Sequence, residues 1–271
     1  MTRKYFFFKF VLFAFIGSMY IMLHTACQEK VEIIPINTND SLSVLEILKA
    51  NNISWDRYKY IKRINNDGYV VQLEIRSRYL KNIPSKIGNL VYLEYLDISD
   101  NEILTLPKEF EKLTNLTTFI AENNQIQKLP DGFRNAKLVK VYLSSNRISA
   151  LPTNIDVTTI RELDLSSNKI RFLPPDFKYL SNLLSFNINN NYLDSLPVEI
   201  ADMKILKRLD VSYNNLTQIP LAFSSLTLDY LNLDYNKLCV PFPALNVDEN
   251  AKIKTWMDNY DRDWSESQSC N

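Results

Sequence analysis

Residues 70–238 repeat one pattern eight times, and this repetition limits the fold more than any other property of the chain. The clearest unit begins at Leu93 and reads LEYLDISDNEILTLPKEFEKLTN. With Leu93 as offset 0, apolar side chains fall at offsets 0, 3, 5, 10, 13, 17 and 20, with Asn at 8 and Pro at 14. Equivalent starts are Val70, Leu93, Leu116, Leu138, Ile160, Leu183, Leu206 and Leu228, so each step is 22 or 23 residues. Offset 8 reads Arg78, Asn101, Asn124, Asn146, Asn168, Asn191, Asn214 and Asn236. Offset 14 reads Pro84, Pro107, Pro130, Pro152, Pro174, Pro197 and Pro220, and Pro241 comes one place early. A period of this length marks a solenoid. One unit cannot bury its own apolar side chains, so neighbours must stack.

Within a unit, Glu94-Tyr95-Leu96-Asp97-Ile98-Ser99 alternates polar and apolar residues, which predicts a short strand with one buried face. The Pro offset predicts a turn or a single 3₁₀ or helical turn on the return path, since Pro fixes φ and needs no donor. The Asn column falls where the chain leaves the strand. Its side chains can satisfy backbone groups stripped from the ladder, at about 1–3 kcal/mol for each group otherwise unpaired. This column is read as structural, and Arg78 as the place where the first coil meets a cap.

The pattern resembles the leucine-rich repeat family in its short form, L-x-x-L-x-L-x-x-N-x-L-x-x-L-P. The resemblance implies an α/β fold: a curved right-handed solenoid with a parallel sheet on its concave face and helical caps at both ends. The expected organisation is a signal peptide over 1–26, a tether over 27–40, an N-terminal cap over 41–69, repeats over 70–238 and a C-terminal cap over 239–271.

Residues 1–26 carry Arg3, Lys4 and Lys9, no acids, and the apolar run Phe10–Leu23, as in a secretory signal. His24-Thr25-Ala26-Cys27 then resembles the lipobox of bacterial lipoproteins, whose cysteine is lipidated. The usual Leu three places before that cysteine is replaced by His24. An uncleaved membrane anchor is the alternative. The resemblance implies a lipid anchor at Cys27 in a bacterial, Bacteroidetes-like cell envelope, at the outer membrane. Gln28-Glu29-Lys30 loosely matches surface-export signals of some Bacteroidetes lipoproteins, which would place the chain on the cell surface.

Of three cysteines, lipidation would use Cys27 and leave Cys239 and Cys270 as a pair in an oxidising compartment. A disulfide between them would clip a helix, read over Ile253–Trp264, across the open end of the solenoid. A redox pair is the alternative, but a C-x-x-C spacing is absent. The tail W-x-D-x-x-D-x-D-W followed by Cys resembles the capping end of several bacterial leucine-rich repeat proteins. At the other end, Val44, Leu45, Ile47 and Leu48 form the apolar face of a helix with Ser41 or Ser43 as its N-cap, and Trp55 is expected to pack on the first coil.

The chain has 31 basic and 31 acidic residues, and setting aside the leader leaves it at about −3. No basic stripe follows a nucleic acid backbone, so nucleic acid is excluded as a partner. The one histidine is His24, ahead of the cleavage point, which leaves no Ser-His or Cys-His pair and no His-containing zinc site. Four glycines build no phosphate loop. Carboxylates at offset 4 (Glu74, Asp97, Asp164, Asp210) could in principle act as an acid–base pair, yet Asp is a common filler there. The reading is a chain that is not an enzyme, with no cofactor and no metal, and a monomer.

Two repeats depart from the bland Ser, Asn and Asp of the exposed strand positions. Tyr95, Ile120 and Tyr142 form an expected apolar patch on successive strands, with Thr118 beside it and Asp97, Glu122 and Lys140 as a charged rim. An apolar cluster with such a rim suits a protein partner. A second cluster is Arg208, Tyr213, Tyr230 and Tyr235. The alternatives are a carbohydrate-binding surface protein, with tyrosines stacking on sugars, and a structural spacer whose aromatics simply pack on one another.

Overall fold

The computed structural model describes residues 35–54, 57–130, 137–152, 159–260 and 263–269. The leader, Cys27, most of the tether, Trp55 and Cys270 lie outside the described residues. The chain divides into a unit over Met1–Pro35 and a second over Ile36–Asn271. All secondary structure of the described residues lies in the second unit. Among the described residues no helix is long and apolar enough to cross a membrane.

The eight repeats each supply one strand covering offsets 2–4: β2 (Val70–Glu74), β3 (Tyr95–Asp97), β4 (Thr118–Ile120), β5 (Lys140–Tyr142), β6 (Glu162–Asp164), β7 (Ser185–Asn187), β8 (Arg208–Asp210) and β9 (Tyr230–Asn232). They pair in parallel and in sequence order, with like offsets opposite one another, as in Leu96↔Phe119 and Phe119↔Val141. Offset 3 points into the core: Leu73, Leu96, Phe119, Val141, Leu163, Phe186, Leu209 and Leu231 are all buried. Offsets 2 and 4 point the other way, onto the open face of the sheet.

A ninth strand lies outside the repeats, in the cap expected to be helical. This strand, β1 (Ile61–Ile64), pairs antiparallel with β2, with Ile61 opposite Leu73 and Ile64 opposite Val70. The turn between them is local chemistry. Asn65 Oδ1 accepts the amides of Asp67 and Tyr69, and Gly68 takes φ 80°, a conformation that Gly adopts without strain. The N-terminal cap is therefore a helix plus a hairpin rather than helical throughout.

Its helix α1 (Thr38–Lys49) starts ahead of the Ser41 or Ser43 cap and crosses the boundary expected between tether and cap. Asn37 is the N-cap, accepting from the amides of Asn39 and Asp40. Ser43 instead bonds back to the Asn39 carbonyl at 2.8 Å. Val44, Ile47 and Leu48 are buried as expected, while Leu45 is only half-buried. A short helix α2 (Arg57–Tyr60) leads into β1.

Beyond the strand, the Pro column opens 3₁₀ turns at Ser85–Asn89, Lys108–Lys112, Pro175–Tyr179, Val198–Asp202 and Leu221–Ser225. The Asn column ties each coil to the one before it. Asn168 donates to the carbonyls of Leu143, Leu165 and Ser166 at 2.9–3.1 Å, and its Oδ1 accepts the Ile148 amide at 3.0 Å. The same bonding recurs at Asn124, Asn146, Asn191, Asn214 and Asn236. Buried amides of this kind are structural.

The C-terminal helix α3 runs over Val247–Asp258, starting and ending earlier than Ile253–Trp264. Asn246 and Glu249 close a reciprocal capping box. Ile253, Trp256 and Met257 are buried, and the Trp256 indole meets Phe223 edge-on and donates to the Leu226 carbonyl at 3.1 Å, both in the seventh repeat. Trp264 lies past the helix, fully buried, and donates to Asp258 at 2.9 Å.

Candidate functional site on the open sheet face

Offset 4 has a structural task in five repeats. Asp97, Asp164, Asn187, Asp210 and Asn232 each turn a side-chain oxygen onto the amide two residues on, at 2.8–3.2 Å. Such Asx turns satisfy a backbone donor just where the strand ends. In the third and fourth repeats this position holds Ile120 and Tyr142. Ile120 has no acceptor, and the Tyr142 hydroxyl reaches across to Glu162 on the next strand. The two repeats forgo the Asx turn and present apolar surface in its place.

Around them the geometry differs from the expected patch. Strand register sets Tyr95 opposite Thr118, in the offset-2 row, while Ile120 lies between Asp97 and Tyr142 in the offset-4 row. Tyr95, Ile120 and Tyr142 therefore form a bent rather than straight path, with Tyr95 diagonal to Ile120. All three are half-buried rather than fully exposed. Asp97 is not part of a rim: it is 2% exposed, bonded to the Ser99 amide and hydroxyl and 3.5 Å from the Arg76 guanidinium. Its neighbours occupy its oxygens and cover it. Burial, with Asp97 and Glu74 close by, raises the Tyr95 hydroxyl above its ordinary pKa.

Glu122 and Lys140 do border the apolar pair. Glu122 accepts from the Ser144 hydroxyl at 3.1 Å, and Lys140 pairs with Glu162 at 2.8 Å. Bonds from Lys140 and then Tyr142 hold Glu162 below the usual carboxylate range, and burial with the Glu162 bond pushes the Tyr142 hydroxyl well above the usual tyrosine range. A hollow of about 200 Å³ continues from Tyr142 along β6 to β9, bordered by Asp164, Arg208, Asp210 and Tyr230.

At its far end, the Arg208 guanidinium lies 4.7 Å from the Tyr230 ring centroid, a cation–π contact. Tyr213 and Tyr235, both at offset 7, stack with centroids 4.2 Å apart and planes at 18°. The second cluster is thus two pairs. Among the described residues no group of three or more His, Cys, Asp or Glu side chains is placed to hold a metal ion.

Comparison with known proteins agrees with this architecture. A Leucine rich repeat family model matches residues 181–238, and a second, Leucine Rich Repeat, matches 92–113 and 159–180. Keratocan of Danio rerio is 27% identical over 103 residues, covering 37% of this chain and 29% of its own length. A solved leucine-rich repeat protein of Leptospira interrogans superposes with a TM-score of 0.59 at 27% identity, over 70% of this chain and 49% of that one. A plant peptide hormone receptor, RGFR1, solved in complex with RGF2, gives a TM-score of 0.50 at 27% identity, over 62% of this chain and 32% of the receptor. The chain spans less than two thirds of the length of each. The fold is the leucine-rich repeat solenoid, and the matched repeats and structural neighbours support placing the chain in the leucine-rich repeat family.

Proposed function

We propose that the chain is a non-enzymatic binding module that takes a protein partner on its open sheet face, centred on Ile120 and Tyr142. The observation that carries this reading is the exchange of Asx-turn residues for apolar ones in two adjacent repeats. That exchange gives up backbone satisfaction worth about 0.5–1.5 kcal/mol per bond and returns surface suited to a partner. Glu122, Lys140 and Thr118 would supply polar contacts at the edge, and Tyr95 a diagonal aromatic one, a buried anchor with a polar surround being the usual build of a protein interface. Leucine-rich repeat proteins commonly bind other proteins, and the similar plant receptor was solved with its RGF2 partner.

The test is capture by the full chain, in detergent, from envelope lysate and from host surface extract, beside an Ile120→Asp/Tyr142→Ala variant. A protein held by the wild type and released by a folded double variant supports the site. Equal retention by both removes the patch from consideration.

The same reading places the module at a bacterial envelope, held by lipid on Cys27. A Cys27→Ser variant that still fractionates with membranes and still takes up radiolabelled fatty acid would exclude that anchor. The Cys239–Cys270 disulfide belongs to this proposal as well. The oxidised state of Cys239 and its position at the end of the last repeat support it, and peptide mapping without reductant tests the pairing.

A further inference from the structure

At offset 7 the backbone turns left-handed in every coil. Ser77, Asp100, Asn123, Ser145, Ser167, Asn190, Tyr213 and Tyr235 all have φ between 52° and 56°. Six of the eight are Ser, Asp or Asn. Asn and Asp are the residues that most readily enter this region, because a short polar side chain can bond locally. A bulky side chain there is an outlier, at a cost of order 1–3 kcal/mol. At this offset only the last two coils accept that cost, both with Tyr.

These tyrosines do not recover the cost by burial. Tyr213 is 52% exposed and Tyr235 53% exposed, so their stacked rings stand in solvent on the edge of the sheet face. Tyr235 is fixed from behind, its amide donating to the Ser267 hydroxyl oxygen of the C-terminal cap at 3.2 Å. Tyr213, backed by Tyr235, forms a wall of an open depression of about 430 Å³ whose other borders include Ser167, Asn189, Asn190, Asp210 and Asn232. No aliphatic side chain lines it. Among the described residues Asn189 is bonded through its main chain, to Asn187, Asn191 and Ser167, and Asp210 Oδ2 has only a 3.4 Å contact from the Tyr230 hydroxyl.

An aromatic wall with amide, hydroxyl and carboxylate groups on the floor matches a ligand with an apolar ring face and many hydroxyls. A peptide side chain would ask for an aliphatic lining, and an anion for a net positive one. We infer that Tyr213, backed by Tyr235, is the stacking platform of a carbohydrate subsite that binds a neutral oligosaccharide, with Asn189 and Asp210 bonding its hydroxyls. This subsite is separate from the Ile120–Tyr142 patch.

The experiment uses the full chain in a detergent without a sugar headgroup, titrated calorimetrically with maltohexaose, cellohexaose and chitohexaose. Wild type should bind at least one of them. Tyr213→Asn/Tyr235→Asn should weaken that binding by about tenfold or more, while Tyr213→Phe stays within about threefold. The Asn variant restores the residue type found at this position in other coils, so its melting temperature should equal or exceed that of wild type. A structural role for the pair predicts the reverse, with lower stability. Ile120→Asp should leave the sugar affinity unchanged, which separates this site from the protein-binding reading. No heat of binding with any of the three sugars overturns the inference. So does unaltered affinity in the Asn variant, or protein capture that depends on Tyr213 and Tyr235 where no sugar binds.

Discussion

Asp40, in the first helix, accepts the main-chain amide of Val70 at the head of the first repeat strand, at 2.7 Å. The carboxylate is 3% exposed, and burial raises its pKa above the ordinary 3.8 despite that bond. A raised acid holds its proton more tightly when folded. Its favourable contribution is therefore complete below pH 3.8 and is lost as pH rises through the folded value. Asp40→Asn keeps an acceptor for Val70 without the charge, and should match or exceed wild-type stability at neutral pH. Asp40→Ala orphans the Val70 amide and should cost about 1–3 kcal/mol. Urea denaturation of both variants at pH 4 and pH 7 checks the pair.

Asn168→Ala should be among the most damaging polar substitutions. It orphans the buried Ile148 amide and removes one donor from each of three carbonyls, which keep only Asn146, Asn191 and the Ser145 amide respectively. With some relaxation of the coil, a loss of about 3 kcal/mol or more is expected from chemical denaturation. A loss below about 1 kcal/mol would mean that water enters the ladder readily.

Gly88 sits in the first 3₁₀ turn, directly against the turn of the next coil. A Cβ there would lie 2.8 Å from both Glu109 Cβ and the Glu109 carbonyl oxygen. The backbone oxygen has little room to retreat, so Gly88→Ala should cost about 1–3 kcal/mol through overpacking. Thermal unfolding measures it, and a neutral result would show that the Ser85–Asn89 and Lys108–Lys112 turns can slide apart.

Glu162 tests the electrostatics beside the proposed interface. Its pKa is lowered chiefly by Lys140 and then by Tyr142, so its small stabilising effect is present above pH 4.5 and lost as pH falls through the depressed folded value. Lys140→Ala should move the Glu162 midpoint upward in an NMR titration. Because both side chains are more than a third exposed, the change in global stability should stay below about 1 kcal/mol.

The fold was legible because its determinants are periodic and local: Pro107 opens a turn and Asn101 closes a bend wherever they fall in the count. Features outside the period were harder to read. Asn65, Asn66, Asp67 and Gly68 spell a turn between two apolar runs, yet the helical pattern that precedes them drew the whole N-terminal cap toward helix. Asn246 and Glu249 have capping-box spacing, but the apolar period that begins at Ile253 set the expected start too late. Asp97 and Asp164 occupy the same offset and read alike. Only the neighbours distinguish them: Arg76 and Ser99 close over Asp97, while Asp164 borders the hollow next to Tyr142. The left-handed turn at offset 7 carries no mark in Tyr213 or Tyr235 themselves, though Ser, Asp and Asn in the other six coils hint at it.

Each asparagine of the ladder is shared between two coils, taking carbonyls from its own and completing the bonds of the one before. A duplicated stretch of 22 or 23 residues would therefore arrive with half of every bond it needs and find the other half already waiting at either junction. Length is the cheapest property of this molecule for evolution to change. The two ends, held by Asp40 at one side and by Trp256 and Trp264 at the other, would not have to change with it.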